Sequence, residues 1–391
     1  MQVRFQTQKT LDCGEPTGRA MDIGARAGAH CVNLSSVVTT KTDLKSLLRE
    51  DLSARLAKWG EPVYRADQIL RWVYQQQAES FDQMTNLSAE LRQRLSEQFE
   101  LNSVRALKTR NATDTTEKFL FQLHDHALIE TVLIPATPGL TTSSDRHTVC
   151  VSTQVGCAYG CKFCASGLEG VKRNLTAAEI VDQVVHTQKL SGERVSNIVI
   201  MGMGEPLANY DNLIRALRII NAPWALGIGA RKITVSTVGL VLRIKQLADE
   251  PMQIRLAVSL HGATDEVRDR IMPVNKKYPL KELLAACDYY VNTRKRMMTF
   301  EYILIDGVND SLEQAHKLGA IANRLHAKVN LIPYNPVEGL PWKRPERSRC
   351  KMFQHTLKSH GITATLRIEK GTDINAACGQ LRLRHEAEAR A

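Results

Sequence analysis

Long apolar runs are missing from this 391-residue chain. No uninterrupted stretch approaches the roughly 18 apolar residues of a membrane helix, and the N-terminus has no continuous apolar core of the kind a secretion signal needs. A membrane or secreted protein is therefore not expected; a cytoplasmic one is. The cysteines do not form a regular, even set. Nine of them, an odd number, are scattered over a long chain, which excludes a secreted disulfide framework and fits a reducing compartment. Aromatic residues make up only 5% of the chain, too few for an extended surface that binds single strands by stacking.

Basic residues are in excess. Lys and Arg number 52 against 41 Asp and Glu, for a net charge of +11. Residues 343–391 hold eleven of those basic residues and five acidic ones, so +6 of the excess lies near the C-terminus. Such a segment would draw in phosphates with salt-sensitive affinity. With 43% hydrophobic and 24% charged residues the composition is globular, and the length suits two or three domains.

Five segments follow from the patterning. Residues 1–41 mix Gly, Ala, Arg and Thr without periodicity and read as a poorly ordered extension, with Met21 an alternative start; Asp12, Glu15 and Asp22 count against an organelle transit peptide. Residues 42–102 form a helical accessory domain, with Ile69, Leu70, Trp72 and Val73 in one stretch and Leu91, Leu95 and Phe99 recurring every four residues. Its Arg65, Arg71, Arg92 and Arg94 either meet RNA phosphates or make a solvated face. Residues 103–142 contain a hairpin, Lys118–Leu123 and Leu128–Ile134, on which Glu130 shares a face with Leu128 and Val132. From position alone Glu130 belongs at a solvated edge rather than in a site. From 143 to 370 strands and amphipathic helices alternate in six βα units, which means parallel strands with helical crossovers. Six units cannot close an eight-stranded barrel, leaving an open, partial barrel or a doubly wound sheet, with the working face at the strand ends. Residues 371–391 form a C-terminal loop and tail.

Directly after the first strand of the series comes Gly156-Cys157-Ala158-Tyr159-Gly160-Cys161-Lys162-Phe163-Cys164, with spacing C-x3-C-x2-C. A structural zinc site normally has four ligands, and no Cys or His follows nearby until His186 in a predicted helix. Three buried structural cysteines are the other bland alternative. Three cysteines on a four-iron, four-sulfur cluster instead leave one iron open, and that iron can chelate the amino and carboxylate groups of S-adenosylmethionine. Reduction then splits a C–S bond to give a 5′-deoxyadenosyl radical. The spacing resembles the radical S-adenosylmethionine (radical SAM) superfamily. The strand-end loops are polar as well: Gly202-Met203-Gly204-Glu205-Pro206, Ser236 with Gly239, Ser259 with His261, and Asn335. Ordinary turn chemistry accounts for any one of them, but less well for all on one face.

Val151 to Cys157, Met201 to Leu207, Ser259-Leu260-His261, Leu331 to Pro336 and Asp373 to Leu381 together resemble the dual-specificity 23S rRNA and tRNA adenine C2-methyltransferases, over about residues 42–385. The resemblance implies an α/β fold, a partial (β/α)6 radical-SAM barrel with a small helical N-terminal accessory domain. It implies a 4Fe-4S cluster on Cys157, Cys161 and Cys164, and S-adenosyl-L-methionine contacts at Gly204, Glu205, Ser236, Ser259, Leu260, His261 and Asn335. It makes Cys378 the methyl-carrying cysteine, Cys150 its disulfide partner and Glu130 the general base. The connection from Ala136 to His147 is longer than the family's. The implied partners are 23S rRNA, tRNA and an electron donor such as flavodoxin or ferredoxin, with the enzyme a monomer and no membrane involved.

Carbon 2 of adenine lies between two electron-withdrawing nitrogens and cannot attack a sulfonium methyl, so radical chemistry is required. One flipped adenine in a pocket suits the low aromatic content. The alternatives are the related enzymes that methylate carbon 8 of the rRNA adenine, which typically have Ala where this chain has Pro206; a radical SAM enzyme acting on a small molecule or protein; and a non-catalytic zinc-containing RNA-binding protein. Cys13, Cys31, Cys287 and Cys350 match no motif.

Overall fold

The computed structural model describes residues 41–136, 146–337 and 339–367. The expected extension, the long connection at 137–145 and the C-terminal segment with Cys378 lie outside them.

The first strand among the described residues, β1 (Thr42–Asp43), pairs in parallel with β2 (Phe99–Glu100) and so closes off the helices α1 (Arg49–Ala57), α2 (Tyr64–Tyr74) and α3 (Ala89–Gln98) between them. Leu52, Leu56, Ile69, Leu70, Val73, Leu91 and Leu95 are all buried, the apolar stripe that the sequence spacing requires. Ser88 caps α3 by accepting from Leu91 N–H at 3.3 Å. Of the basic residues on this unit, Arg65 donates to Gln68, Arg92 to the Asp82 carbonyl, and Arg94 lies over the Trp59 ring.

Ten strands form the main sheet. Three come first: β3 (Val104–Asn111), β4 (Glu117–Leu123) and β5 (Leu128–Pro135), an antiparallel run. The sequence suggests only the last two as a hairpin, because charged Arg105, Lys108 and Arg110 and a bulge between Ala106 and Lys108 blur the alternation of β3. The run continues antiparallel into β6 (His147–Cys150), where the parallel series begins. After a small hairpin, β7 (Gln154–Gly156) with β8 (Val171–Asn174), the chain alternates helix and strand: α4 (Ala177–Ser191), β9 (Asn197–Ile200), α5 (Tyr210–Asn221), β10 (Ile233–Thr237), α6 (Val241–Asp249), β11 (Arg255–Ser259), α7 (Asp265–Ile271), α8 (Leu280–Arg294), β12 (Thr299–Leu304), α9 (Leu312–Arg324), β13 (Lys328–Pro333), α10 (Arg347–Ser359) and β14 (Ala364–Leu366). Spatial order is β14-β13-β12-β11-β10-β9-β6-β5-β4-β3, and from β6 to β14 every pairing is parallel. Among the described residues β14 and β3 are the two edges, so the sheet they form is open and the partial barrel is the fold.

Glu130 is not at a solvated edge. Strand β5 lies between β4 and β6, and Glu130 is buried at 2% exposure with its carboxylate 2.9 Å from Lys118 Nζ. The solvated-edge expectation fails because β5 reads as the end of an isolated hairpin until the parallel strands are seen to continue from it.

A buried ion pair holds the helical unit to the sheet. Lys45 Nζ lies 2.5 Å from Asp182 Oδ1 on α4, both essentially inaccessible, and Asp182 Oδ2 accepts from Ser103 N–H at 2.7 Å. Nearby, burial pushes the Asp43 carboxyl up to about 6, opposed by its bond from Ser103 Oγ.

Candidate active site

The three cysteines of the C-x3-C-x2-C segment lie between β7 and β8, and backbone contacts fix that loop on every side. Cys157 N–H donates to the Gly170 carbonyl at 2.9 Å, Cys164 N–H to Cys161 at 3.0 Å, and Lys162 N–H to Ile271, at the end of α7, at 2.9 Å. Trp342 Nε1 donates to the Lys162 carbonyl at 2.7 Å. Gly156 enters the loop at φ +78°, where a Cβ would lie 2.0 Å from the Gly170 oxygen; only glycine permits this approach.

Cys157, Cys161 and Cys164 are half-buried and free, and they line one cavity of about 290 Å³ at the strand ends. Of the other residues singled out in the sequence, Gly204, Glu205, Ser236, Ser259 and His261 line the same cavity. Leu260 does not: its side chain is in the core, and its carbonyl accepts from Arg268. Asn335, half-buried after β13, is also not among the lining residues. Among the lining residues that sequence reasoning missed are Phe163, Glu301, Ile303 and Arg367. Glu301 could have been suspected as a carboxylate at an inward position of an apolar strand, flanked by Phe300 and Tyr302.

Glu205 is buried, and burial pushes its carboxyl up to about 7. Its Oε2 accepts from Val238 N–H at 2.8 Å and its Oε1 from Leu207 N–H at 3.0 Å, so it braces the loop after β9 against the end of β10. Gly204, at φ +100°, lies so close to Gln154 that a Cβ would meet that side chain at 2.5 Å. His261 is neutral: burial, with Arg268 next, holds its imidazolium pKa down to about 3. Its Nδ1 accepts from Ile303 N–H at 3.0 Å, which leaves the proton on Nε2. The Phe163 ring meets the imidazole edge-on at 4.9 Å.

Cys150 and Glu130 occupy the sheet beside this cavity. Cys150 pairs with Val132 in register, and Ser152 Oγ bonds the Glu130 carbonyl at 2.6 Å while accepting from Met203 N–H, next to Gly204. Burial pushes the Cys150 thiol up to about 11, opposed by Arg367, then by a backbone hydrogen bond at Met201, then by Lys118. Cys287 and Cys350 are buried in the core.

The donor set fits an iron–sulfur cluster. Among the described residues no three His, Cys, Asp or Glu side chains converge closely enough for a single metal ion, yet three thiols surround one cavity. Three cysteine thiols lining one cavity suit a polynuclear iron–sulfur core. Burial pushes Cys157 up to about 12 and Cys161 well above the ordinary thiol value, so a bound cationic core is what would hold them as thiolates.

Residues 151–319 match the family model described as the radical SAM superfamily, which is the class this barrel and cysteine loop define; a 4Fe-4S cluster and S-adenosylmethionine are its cofactors. Residues 42–101 match the ribosomal RNA large subunit methyltransferase N-terminal domain. The chain is 57% identical over 350 residues to a probable dual-specificity RNA methyltransferase RlmN 3 of Opitutus terrae, covering 87% of this chain and 94% of the relative. It is 54% identical over 340 residues to a probable dual-specificity RNA methyltransferase RlmN of Akkermansia muciniphila, covering 87% and 95%. The crystal structure of a radical SAM methyltransferase from Sphaerobacter thermophilus superposes with a TM-score of 0.82 at 46% identity, covering 87% of this chain and 98% of that one. The chain belongs to the RlmN family of radical SAM RNA methyltransferases.

Proposed function

We propose that this enzyme methylates carbon 2 of an adenine in the peptidyl-transferase centre of 23S rRNA and of the adenine 3′ of the anticodon in tRNA. The observation that carries the reading is the convergence of Cys157, Cys161 and Cys164 with the strand-end residues Gly204, Glu205, Ser236, Ser259 and His261 around one cavity, in a chain alike almost end to end to dual-specificity RNA methyltransferases.

The three cysteines hold the cluster, and the strand-end residues Gly204, Glu205, Ser236, Ser259 and His261 hold S-adenosylmethionine, whereas Leu260 and Asn335 stand outside that cavity. When bound, this pair supplies hydrogen-atom abstraction from an unactivated methyl group. The remaining roles fall to the chain. Cys378 accepts a methyl on its sulfur and, once activated, carries it to carbon 2, joining protein to RNA. Glu130 takes the carbon 2 proton, its carboxylate oriented by Lys118 at 2.9 Å. Once the adduct has also given one electron back to the redox cofactor, Cys150 attacks the sulfur of Cys378; the sulfur–carbon bond breaks with its electron pair on the exocyclic carbon, which takes up a proton to become the methyl group, and a disulfide is left. Pro206 in the loop after β9 favours carbon 2 over carbon 8. The helical unit at 42–102, with Arg71 and Arg94 exposed, and the basic C-terminal segment bind RNA phosphates. A flavodoxin or ferredoxin supplies electrons in the cytoplasm, and the enzyme works as a monomer. Among the described residues no helix is long and apolar enough to cross a membrane.

The two lone cysteines give the test. Cys378→Ala should neither acquire a methyl nor become joined to RNA. Cys150→Ala should be methylated, attack the adenine and stall, accumulating a protein–RNA conjugate that survives denaturing gels and is lost on nuclease digestion. Equal, conjugate-free loss of activity in both variants would sink the assignment, and 8-methyladenosine as the main product in nucleoside mass spectrometry would place the enzyme in the carbon 8 branch.

A further inference from the structure

Arg268, on α7, is fully buried, at 0% exposure. A guanidinium in that position ordinarily needs a carboxylate against it, since an unpaired buried charge is strongly destabilising. Among the described residues none lies within ion-pair distance. The partners are mostly carbonyls: Nη1 donates to Leu260 and to Ser259 at 3.3 Å, and Nη2 to Val238 at 3.4 Å. Nε donates to Asn275 Oδ1 at 2.8 Å, and only through the Asn275 amide does the network reach Asp265 and Asp269, each 2.9 Å from Nδ2. These carbonyls belong to the ends of β10 and β11, next to Ser259 and His261 of the cavity wall, and the cysteine loop rests on the last residue of the same helix through Lys162 and Ile271. A buried cation thus lies behind the thiol-lined cavity with its hydrogen bonds made to carbonyls and an amide, and with the carboxylates of Asp265 and Asp269 reached only through Asn275.

We propose that Arg268 is the counter-charge of the iron–sulfur cluster: a positioning residue that joins the two strand ends and favours cluster loading and reduction. The proposal rests on the cofactor assignment above. A cluster core of charge two plus on three thiolates totals one minus, and two minus after it takes one electron from a low-potential donor. A cation buried behind it favours the loaded state over the empty one and the reduced state over the oxidised one. Burial also holds the Arg268 pKa down to about 10, opposed by Cys161 first and then by Asp265, Cys287 and Asp269.

Two variants separate charge from hydrogen bonding: Arg268→Gln keeps amide donors without charge, and Arg268→Lys keeps charge with fewer donors. Each is reconstituted anaerobically, assayed for iron and sulfide, and titrated reductively with detection by electron paramagnetic resonance. Loaded Arg268→Gln should show at least a tenfold lower reduced-to-oxidised ratio at the wild-type midpoint, a shift of about 59 mV to more negative potential, while Arg268→Lys stays near wild type. If Arg268→Gln does not load and Arg268→Lys does, the charge is likewise required. A loaded Arg268→Gln protein at wild-type potential, an Arg268→Lys protein shifted as far as Arg268→Gln, or loss of the cluster in both overturns the proposal and leaves Arg268 a structural clamp. Wild-type protein that binds no iron would count against the cofactor assignment instead.

Discussion

Replacing Gly156 by alanine tests whether the cluster loop is built as described. Three costs can be worked from the geometry. Alanine at φ +78° adopts a left-handed conformation, costing roughly 1–2 kcal/mol. Its Cβ would lie 2.0 Å from the Gly170 oxygen, a backbone atom that cannot rotate away, so β7 and β8 must separate at a cost of about 1–3 kcal/mol. The same oxygen accepts from Cys157 N–H at 2.9 Å, and losing that bond adds about 1 kcal/mol. Together these give about 3–6 kcal/mol, concentrated on the first cluster ligand. Gly160, in the same loop at φ +55°, has nothing within 4 Å of its Cβ position, so Gly160→Ala carries only the backbone cost of about 1–2 kcal/mol. After anaerobic reconstitution, Gly156→Ala should lose most of its iron and sulfide while Gly160→Ala retains most of both, and urea unfolding should rank them in that order. Equal iron retention and equal stability in the two proteins would refute the argument.

Cys157→Ala, Cys161→Ala and Cys164→Ala should each abolish the cluster's visible absorbance and all methylation; methyladenosine made by any of them would defeat the ligand assignment. Asp182→Ala strands Lys45 as a buried, unpaired cation and should cost about 3–5 kcal/mol in urea unfolding, whereas a loss below 1 kcal/mol would show that the pair does not anchor the helical unit. Asp43, raised from 3.8 to about 6, binds its proton more tightly when folded. Its contribution is therefore full below pH 3.8 and is lost as the pH rises through 6, so Asp43→Asn should flatten that part of the stability curve; an unchanged slope would contradict the assignment.

Much of this molecule is legible along the chain because its signals are local. The βα alternation follows from hydrophobic periodicity, and α6, α8 and α10 begin and end where that periodicity does. The C-x3-C-x2-C spacing is local too, as a cluster loop must be. By contrast β3 is hidden, because a bulge and three basic residues interrupt its alternation, and α7 is too short, at seven residues, to show a period. Pairing across the sheet decides the rest. Glu130 belongs to an interior strand rather than an edge only because β5 joins β6, and Lys118 becomes its partner only through the β4–β5 pairing. Glu301 and Arg367 reach the cavity wall from β12 and the end of β14, separated from the cysteines by more than a hundred residues of sequence. Nothing about Arg268 in the sequence distinguishes it from the other arginines; only the carbonyls of two strand ends folded around it make it a buried charge. Local patterning determines which elements form, because periodicity and caps act within a turn or two. Charge burial is set by neighbours far off in sequence, so only the assembled sheet decides which ionisable side chains are in a position to act.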